Sequence, residues 1–321
     1  MKCSTETNIC IEDVFQAAKT IEPYAHRTPV ATCKSLDDLA GCEVFLKCEN
    51  LQKVGAFKFR GACNAVMNLS EEQASRGVVT HSSGNHAQAL ALAAKLRGIK
   101  ADIVMPSNSS EVKRAAVKGY GGIVHICQAN EKAREELAAE LVEKTGGVLI
   151  NPFDNPFVVS GQGTAALELL SDFNDLDAII TPVGGGGLLS GTCIAAKGLK
   201  PDIRVFGAEP TGADDAARSL EAGELIPQTG PNTICDGLLT SLGKLTWPII
   251  RDNVESIFTV TDEKTIEAMR FFMQRTKMLI EPSAATVIAA ILSDQFKQLK
   301  GIKKIAAIIT GGNVDLDNLP W

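Results

Sequence analysis

"DAIITPVGGGGLLSG", residues 177–191, joins an apolar run to four consecutive glycines and then to a second apolar run. The first run is typical of a buried strand, and the residues after the glycines are typical of a buried helix. Such a loop lets several backbone N–H groups converge on one anion at a helix N-terminus, which predicts a phosphate-binding loop. A dinucleotide fingerprint needs glycine where Leu189 stands, and a P-loop needs lysine where Thr192 stands, so neither motif fits. The remaining alternative is a flexible tight turn.

Apolar runs of strand length alternate with helical patterns along the chain. The strand candidates are residues 43–47, 77–81, 101–105, 122–126, 147–151, 177–183, 203–209, 256–260 and 304–310. The clearest helical patterns are 87–98 and 131–147, and each ends at glycine. This alternation predicts an α/β fold with βαβ units and a mostly parallel sheet. Ligands of such sheets bind beyond the carboxyl ends of the strands, so the residues that follow each strand are the site candidates.

The composition restricts the class of protein. The chain has 321 residues, 45% hydrophobic and 22% charged, which suits two globular domains or one large α/β unit. A formal net charge of −6 argues against a nucleic-acid partner. No apolar run approaches the ~18 residues of a membrane span, and no signal peptide is recognisable. Nine scattered cysteines without a Cys-x-x-Cys pair predict reduced thiols in a cytoplasmic protein.

Lys58 is the least expected residue of the segment "KVGAFKFRGA", residues 53–62, because two phenylalanines flank it. Lysine is almost never fully buried unless its charge is compensated. In one interpretation the ammonium group reaches water from an amphipathic helix. In the other the lysine is desolvated, which lowers its pKa and makes its amine a nucleophile.

The motif "THSSGNHAQAL", residues 80–90, has the same strand–loop–helix order as the glycine loop. Its Ser82, Ser83 and Asn85 can cap the helix, and they can also bind a ligand carboxylate, which the helix dipole favours. For this motif alone, capping is the favoured interpretation. His86 alone is more often a structural residue than a catalyst.

Two further strand ends carry polar groups. In "GAEPTGADDA", residues 207–216, the carboxylates of Glu209, Asp214 and Asp215 suit a hard cation such as Mg²⁺ or Ca²⁺. A capped turn is an equally good interpretation of that spacing. In "AAIITGGN", residues 306–313, Thr310 precedes two glycines, which suits the edge of a flat ring or a plain turn.

One ligand accounts for four of these features together. Pyridoxal 5′-phosphate (PLP) bonded to an amino acid needs a lysine amine, a phosphate loop, a carboxylate loop and a partner for its pyridine nitrogen. Lys58, the four glycines, the loop 82–86 and Thr310 supply these groups. The sequence therefore predicts a PLP site at the carboxyl ends of the strands.

The whole chain resembles the fold type II, or tryptophan-synthase-β-like, PLP enzymes, within them the branch of serine racemases and serine/threonine dehydratases. The matching motifs keep their order along the chain: "HRTPV", "FLKCENLQKVGAFKFRGA", "THSSGNHAQAL", "INPFD", "GQGT", "PVGGGGLLSG", "AEPTGADDA", "LIEPSA" and "TGGNVDL". The resemblance implies two open, twisted, mostly parallel sheets flanked by helices. It also implies a large PLP-binding domain at residues 1–75 and 153–321, a small mobile domain at 76–152, and a homodimer.

The resemblance assigns roles to individual residues. It implies that Lys58 is the Schiff-base lysine, that Phe57 packs beside the cofactor ring, and that Thr310 meets the pyridine nitrogen. Asn85 is implied to hydrogen-bond the 3-oxygen of the ring. The phosphate is implied to lie on Gly184, Gly185, Gly186, Gly187 and Leu188. The substrate carboxylate is implied to lie on Ser82, Ser83, Gly84, Asn85 and His86, with Glu281 and Asp236 in acidic motifs nearby.

Two further sites are expected from the resemblance. A divalent cation, Mg²⁺ or alternatively Ca²⁺ or Mn²⁺, is implied to bind Glu209, Asp215 and the carbonyl of Ala213. ATP is implied as an activator at a subunit interface, on positions that match Lys53, Gln88, Tyr120, Lys277 and Asn313. Cys33 and Lys34 replace two serines of the animal pattern, so the expected response to ATP is weakened or altered.

The expected activity follows from the same resemblance. A proton removed from Cα on the Lys58 face can return on the other face, which racemises the amino acid. Alternatively the β-hydroxyl leaves, which gives a keto acid and ammonia. Ser83 favours racemisation of serine with substantial dehydration, because dedicated threonine dehydratases commonly carry alanine there. The alternatives are a serine/threonine or 3-hydroxyaspartate dehydratase, and a regulatory binding protein that keeps the fold without the chemistry.

Overall fold

Two separate β-sheets organise the fold. The structure is a computed structural model that describes residues 9–82, 84–109 and 111–321. The strands of these residues are β1 (Val30–Thr32), β2 (Glu43–Lys47), β3 (Val78–His81), β4 (Ala101–Pro106), β5 (Ile123–Cys127), β6 (Val148–Leu149), β7 (Ala178–Pro182), β8 (Arg204–Pro210), β9 (Ser256–Val260) and β10 (Lys304–Ile308).

Helices pack on both sheets. They are α1 (Ile11–Ile21), α2 (Lys34–Ala40), α3 (Lys58–Met67), α4 (Glu71–Arg76), α5 (Asn85–Arg97), α6 (Glu111–Gly119), α7 (Glu131–Thr145), α8 (Pro156–Asp172), α9 (Gly187–Leu199), α10 (Asp215–Ala222), α11 (Thr246–Asn253), α12 (Asp262–Thr276), α13 (Pro282–Leu292) and α14 (Asp294–Lys297). Short 3₁₀ turns at Glu49–Leu51 and Lys53–Gly55 connect β2 to α3. Within the described ranges, no helix is long and apolar enough to cross a membrane.

The larger sheet has six strands in the order β1-β2-β10-β7-β8-β9. All neighbours in it are parallel except β1, which pairs antiparallel with β2. Every residue of β7 is buried, because α8 and α9 cover one face of the sheet and α13 covers the other. Strands of a parallel sheet that is covered on both faces have continuous apolar sequences, which is why the sequence predicts these strands.

The smaller sheet has four parallel strands in the order β5-β4-β3-β6. These strands lie between residues 78 and 149, inside the range predicted for the small domain. The boundaries and the mobility of that domain stay predictions. The carboxyl ends of β3 and β6 lead to Ser82 and to the loop at 150–155, which come close to the larger sheet at the candidate site.

The predicted fold class is confirmed, and each of the nine predicted strands is present within a few residues of its expected bounds. The two clearest helices, α5 and α7, end at Gly98 and Gly146, both in the left-handed conformation that glycine adopts without strain. Strand β1 was not predicted, because three residues are too short to show a period. Eight cysteines of the described residues form no disulfide.

Candidate active site

A cavity of about 480 Å³ lies between the two sheets, at the carboxyl ends of β3, β6, β7 and β10. It collects most of the residues that the sequence assigned to cofactor and substrate. The lining includes Phe57, Lys58, Ser82, Gly84, Asn85, His86, Gly184, Gly185, Gly186, Gly187, Leu188, Asp236, Glu281 and Thr310. Ser83, the predicted second catalytic residue, lies outside the described residues.

Lys58 is the first residue of α3, and its side chain faces the cavity rather than bulk solvent. Its flanking residue Phe59 is fully buried in the core, and Phe57 packs beside the amine, with Nζ 5.2 Å from the ring centroid. The ammonium group donates a hydrogen bond to the carbonyl of Pro152 at 3.0 Å. Burial lowers the pKa of Lys58 to about 8, against the opposing charge of Glu281. The structure therefore favours the desolvated nucleophile over the solvated surface lysine.

A buried ionic cluster anchors the opposite side of α3. Arg60, with 0% exposure, makes two hydrogen bonds to the carboxylate of Glu49, at 2.7 and 2.8 Å, and two to Glu168 at the same distances. Lys47 also pairs with Glu168, at 2.5 Å. The charges balance, and loss of one partner would leave a buried charge unpaired. The cluster thus fixes the first turn of α3, from which Lys58 projects.

The glycine loop leaves no room for side chains. A Cβ at Gly185 would lie 2.2 Å from the ring of Phe153, and Gly186 has φ +84°, which disfavours other residues. The backbone amides of residues 184–188 donate to no acceptor among the described residues. Those of Gly187 and Leu188 are the unpaired donors expected in the first turn of α9, and those of residues 184–186 precede the helix beside the cavity. This arrangement fits a bound phosphate.

Backbone contacts hold Thr310 at a fixed distance from the lysine segment. Phe57 donates its amide to the carbonyl of Thr310 at 3.0 Å, and Gly312 donates to Gly55 at 2.9 Å. Ala56 and Gly311 form an isolated β-bridge between these two pairs. The hydroxyl-bearing strand end and the lysine therefore form one rigid edge of the cavity.

Asn85 does not cap α5, which corrects the capping interpretation for this residue. The N-cap position is Gly84, and the Asn85 amide donates to both carboxylate oxygens of Glu281 at 3.0 Å. Asn313 donates in turn to the Asn85 oxygen at 2.8 Å. Burial, and then the charge of Asp236, raise the pKa of Glu281 to about 7. Glu281 and Asn313 therefore orient Asn85 in the cavity wall.

His86 is neutral and only 2% exposed. Its Nε2 lies 3.3 Å from the carbonyl of Ile150, and Nδ1 has no partner among the described residues. Burial, and then the charge of Lys58, lower the pKa of His86 to about 3. His86 also lines the cavity, although its Nδ1 is itself buried.

The acidic turn at 207–216 makes capping contacts. The carboxylate of Glu209 accepts the amides of Ala216 at 3.3 Å and Ala217 at 2.9 Å, and Asp215 accepts the amide of Leu242 at 3.3 Å. Asp214 instead pairs with Arg218. Within the described ranges, no group of three or more His, Cys, Asp or Glu side chains is placed to hold a metal ion. A site with two carboxylates and a carbonyl needs only two such side chains.

The residues predicted for a nucleotide occupy different environments. Asn313 donates to the carbonyl of Val54 at 2.8 Å as well as to Asn85, which places it against the lysine segment. Gln88 is buried on α5, while Lys53 lies with Nζ 5.6 Å from the ring centroid of Phe59. Lys277 ends α12 in a left-handed conformation, and Tyr120 packs at the edge of the core beside α6.

Comparison with known proteins agrees with this geometry. Among curated proteins, a serine racemase of Dictyostelium discoideum is 54% identical over 313 residues, which cover 97% of each chain. A beta-hydroxyaspartate dehydratase of Paracoccus denitrificans is 45% identical over 310 residues, covering 97% of this chain and 98% of that protein. The crystal structure of the Dictyostelium discoideum serine racemase superposes with a TM-score of 0.93 and covers 96% of this chain and 99% of that chain.

The family model with the description "Pyridoxal-phosphate dependent enzyme" matches residues 21–311. This range contains Lys58, the glycine loop and Thr310. Both the sequence match and the donor groups of the cavity fit the same cofactor. The chain therefore belongs to the family of pyridoxal-phosphate dependent enzymes.

Proposed function

We propose that this chain is a PLP-dependent serine racemase that interconverts L- and D-serine and also eliminates water from serine, giving pyruvate and ammonia. The single observation that carries the proposal is 54% identity to a serine racemase along nearly the whole of both chains. The cavity supports it, because a lysine of lowered pKa, unpaired loop amides and Thr310 all line it.

The residues of the chain divide the chemistry between them. When bound, PLP supplies an electron sink that acidifies the Cα proton of an amino acid. Lys58, which carries the cofactor at rest, removes or returns that proton on one face of Cα. Ser83 is proposed to exchange a proton on the other face. The loop 82–86 binds the substrate carboxylate at the N-terminus of α5, where the helix dipole favours negative charge.

The products made from single enantiomers test the proposal. L-serine, D-serine, L-threonine, L-aspartate and 3-hydroxyaspartate are each incubated with the purified protein, and products are separated by chiral chromatography alongside a keto-acid assay. We expect D-serine and pyruvate from L-serine. Formation of keto acids without any enantiomer exchange would contradict the racemase assignment.

A 3-hydroxyaspartate dehydratase is the second candidate. It is favoured by the 45% identity to a beta-hydroxyaspartate dehydratase over nearly all of both chains. The same incubations separate the two candidates. The second is correct if 3-hydroxyaspartate is consumed far faster than either serine enantiomer and serine is not racemised.

The small domain, residues 76–152, is proposed to close over the cavity in a homodimer of this chain. Two contacts support closure, because each joins the smaller-sheet segment to the rest of the chain. Lys113 on α6 pairs with Asp236, and Asn85 on α5 pairs with Glu281. Closure excludes water from the reacting Cα.

A divalent cation, with Mg²⁺ favoured over Ca²⁺ and Mn²⁺, is proposed to bind Glu209, Asp215 and the carbonyl of Ala213. Both carboxylates are 1% exposed, and neither forms an ion pair in the described part of the chain. Burial raises the pKa of Glu209 well above its ordinary value and that of Asp215 to about 6. The hydrogen bonds to these two carboxylates come from backbone amides, so a bound cation would stabilise their charged forms and with them the folded state.

Removal of the cation by EDTA is expected to lower the Tm by about 5 °C and to reduce turnover. A ligand at 100 times its Kd stabilises by about 2.7 kcal/mol, and 1 kcal/mol shifts the Tm of a chain of this size by about 2 °C.

The pKa of Asp215 rises from 3.8 to about 6 on folding, so the metal-free protein loses stability as the pH rises through that window. The Tm difference between protein dialysed free of metal and protein loaded with Mg²⁺, measured by calorimetry, should therefore widen from pH 4 to pH 6.

Two variants control this experiment. Glu209→Gln removes one proposed ligand, so EDTA should leave its Tm unchanged. Asp214→Asn removes a neighbouring carboxylate that pairs with Arg218, so EDTA should still lower its Tm. If EDTA alters neither the Tm nor the turnover of the wild type, the acidic turn at 207–216 only caps a helix and binds no cation.

ATP is proposed as an activator with a weakened effect. Cys33 is the N-cap residue of α2, and Lys34 pairs with Asp38 at 2.7 Å on the surface, where the animal pattern places serine hydroxyls. The measurement is serine turnover with Mg²⁺ alone and with Mg-ATP. We expect ATP to raise turnover, and the double variant Cys33→Ser with Lys34→Ser should show a larger rise. Equal turnover with and without ATP in both proteins would remove the proposal.

A further inference from the structure

Thr246, the first residue of α11, contacts the glycine loop through its hydroxyl, on the side of the loop that faces away from the cavity. It donates to the carbonyl of Gly185 at 2.8 Å and accepts the amide of Gly243 at 2.9 Å. The same Gly243 amide also lies 3.3 Å from the Gly185 carbonyl. Thr246 has 0% exposure and is not part of the described cavity lining. These contacts therefore hold the Gly185 carbonyl on the side away from the cavity.

The loop is packed between two segments. On one side the ring of Phe153 occupies the space where a Cβ of Gly185 would lie. On the other side a Cβ of Gly186 would lie 2.9 Å from the Thr246 oxygen and 2.7 Å from Ile250. Asp154 joins the two sides, because its carboxylate accepts the amide of Leu245 at 2.8 Å. The packing on both sides prevents the glycine loop from shifting as a whole. The motion left to it is rotation of individual peptide planes.

The direction of one carbonyl sets the direction of the next amide. In a planar trans peptide, the C=O of one residue and the N–H of the next point in opposite directions. The Gly186 carbonyl accepts the amide of Ser190 at 2.8 Å, so α9 itself turns the Gly187 N–H outward. The Gly185 carbonyl lies before the helix and has no such partner in it. Thr246 supplies that partner, together with Gly243.

We propose that Thr246 is a positioning residue that turns the Gly186 N–H toward the phosphate of the cofactor. Without the Thr246 hydroxyl, the Gly185 carbonyl loses the shorter of its two hydrogen bonds and keeps only the 3.3 Å contact with the Gly243 amide. The amide then meets the phosphate less often and in poorer geometry. This inference rests on the proposed position of the phosphate at the glycine loop.

The test compares PLP with pyridoxal, which lacks the phosphate. Both Kd values are measured by absorption titration of the full chain freed of cofactor, and the Tm is recorded without ligand. Thr246→Val keeps the shape of the side chain without the donor, and Thr246→Ser keeps the donor. For Thr246→Val we expect the Kd of PLP to rise about tenfold, the size expected for a lost buried hydrogen bond, while the Kd of pyridoxal stays unchanged. Thr246→Ser should match the wild type for both ligands.

Ser190→Ala is the matched control, since Ser190 donates its hydroxyl to the Thr246 carbonyl at 3.2 Å and does not touch Gly185. It should lower the Tm without separating PLP from pyridoxal. Thr246→Ala replaces the valine variant if that variant does not fold.

Three results would overturn the role of Thr246. They are an equal loss of affinity for both ligands, an unchanged Kd of PLP, and a folded serine variant that binds as poorly as the valine variant. Failure of the valine and alanine variants to fold, while the serine variant folds, would also overturn it in favour of a structural role. If instead the wild type binds pyridoxal as tightly as PLP, the position of the phosphate is wrong, which is a failure of the proposed site and not of Thr246.

Discussion

Lys58→Ala is expected to lose the cofactor absorption near ~410–420 nm that marks a PLP–lysine linkage, together with nearly all turnover. The substitution removes the covalent anchor and the acid/base group at once. The loss of turnover should therefore exceed the ~10²–10⁴-fold effect of one general base by further orders of magnitude. The structure adds that the amine is already desolvated, with a pKa of about 8, so alanine removes a poorly solvated charge and should not unfold the chain.

Lys58→Arg serves as a control that keeps the positive charge of the lysine but removes its ability to bond to PLP. Arginine keeps a cation beside Pro152, but its guanidinium stays protonated and cannot form the linkage. We expect it to behave like alanine in both absorption and turnover, with a circular dichroism spectrum like that of the wild type. Near-normal turnover of either variant would contradict the assignment of Lys58 as the lysine that bonds to PLP.

Ser83→Ala is expected to lose interconversion of L- and D-serine while it still makes pyruvate from L-serine. Racemisation needs proton exchange on both faces of Cα, whereas dehydration of L-serine needs only the Lys58 face. A serine hydroxyl is a weak base at its ordinary pKa, so neighbouring groups must activate it. Elimination from D-serine should also be lost, because its Cα proton faces the missing hydroxyl. The ~410–420 nm band should remain.

Ser82→Ala provides the contrast for this variant. The Ser82 oxygen accepts the amide of Gly84 at 3.3 Å, so its loss should disturb the carboxylate loop and reduce both L-serine activities together. The same pattern in Ser83→Ala would mean that Ser83 chiefly binds the carboxylate. Undiminished racemisation in Ser83→Ala would place the second base elsewhere.

The sequence predicted those parts of the fold and site that depend on neighbouring residues. The buried parallel strands appear as apolar runs, and the glycine loop appears as four glycines between two such runs. Lys58 was conspicuous because a charged residue stood between two phenylalanines. In each case the signal lies within about ten residues, which is the range over which strand and helix periods are read.

The sequence did not predict contacts between distant segments. Arg60 could be read as unusual in an apolar helix, but its partners Glu49 and Glu168 lie on other elements. The motif around Asn85 favours a cap when taken alone, and the resemblance assigns Asn85 to the cofactor ring; neither indicates the contact with Glu281, which is far along the chain. Thr246 carried no local signal at all, since its role depends on where α11 packs against Gly185. Such pairings arise from topology, which a single sequence does not display.

The position of β10 also governs the order in which the protein can be completed during synthesis. Ile305 pairs with Val44 on one side and with Ala178 on the other, so β10 separates β2 from β7 in the six-stranded sheet. Until the ribosome has released residues 304–308, β2 has no neighbour except β1, and the other half of the sheet has an open edge. The four-stranded sheet has no such delay, because all of its strands are made by residue 149. An exposed strand edge invites pairing with other chains, and the nascent protein carries these open edges until the strand that precedes Thr310 is made.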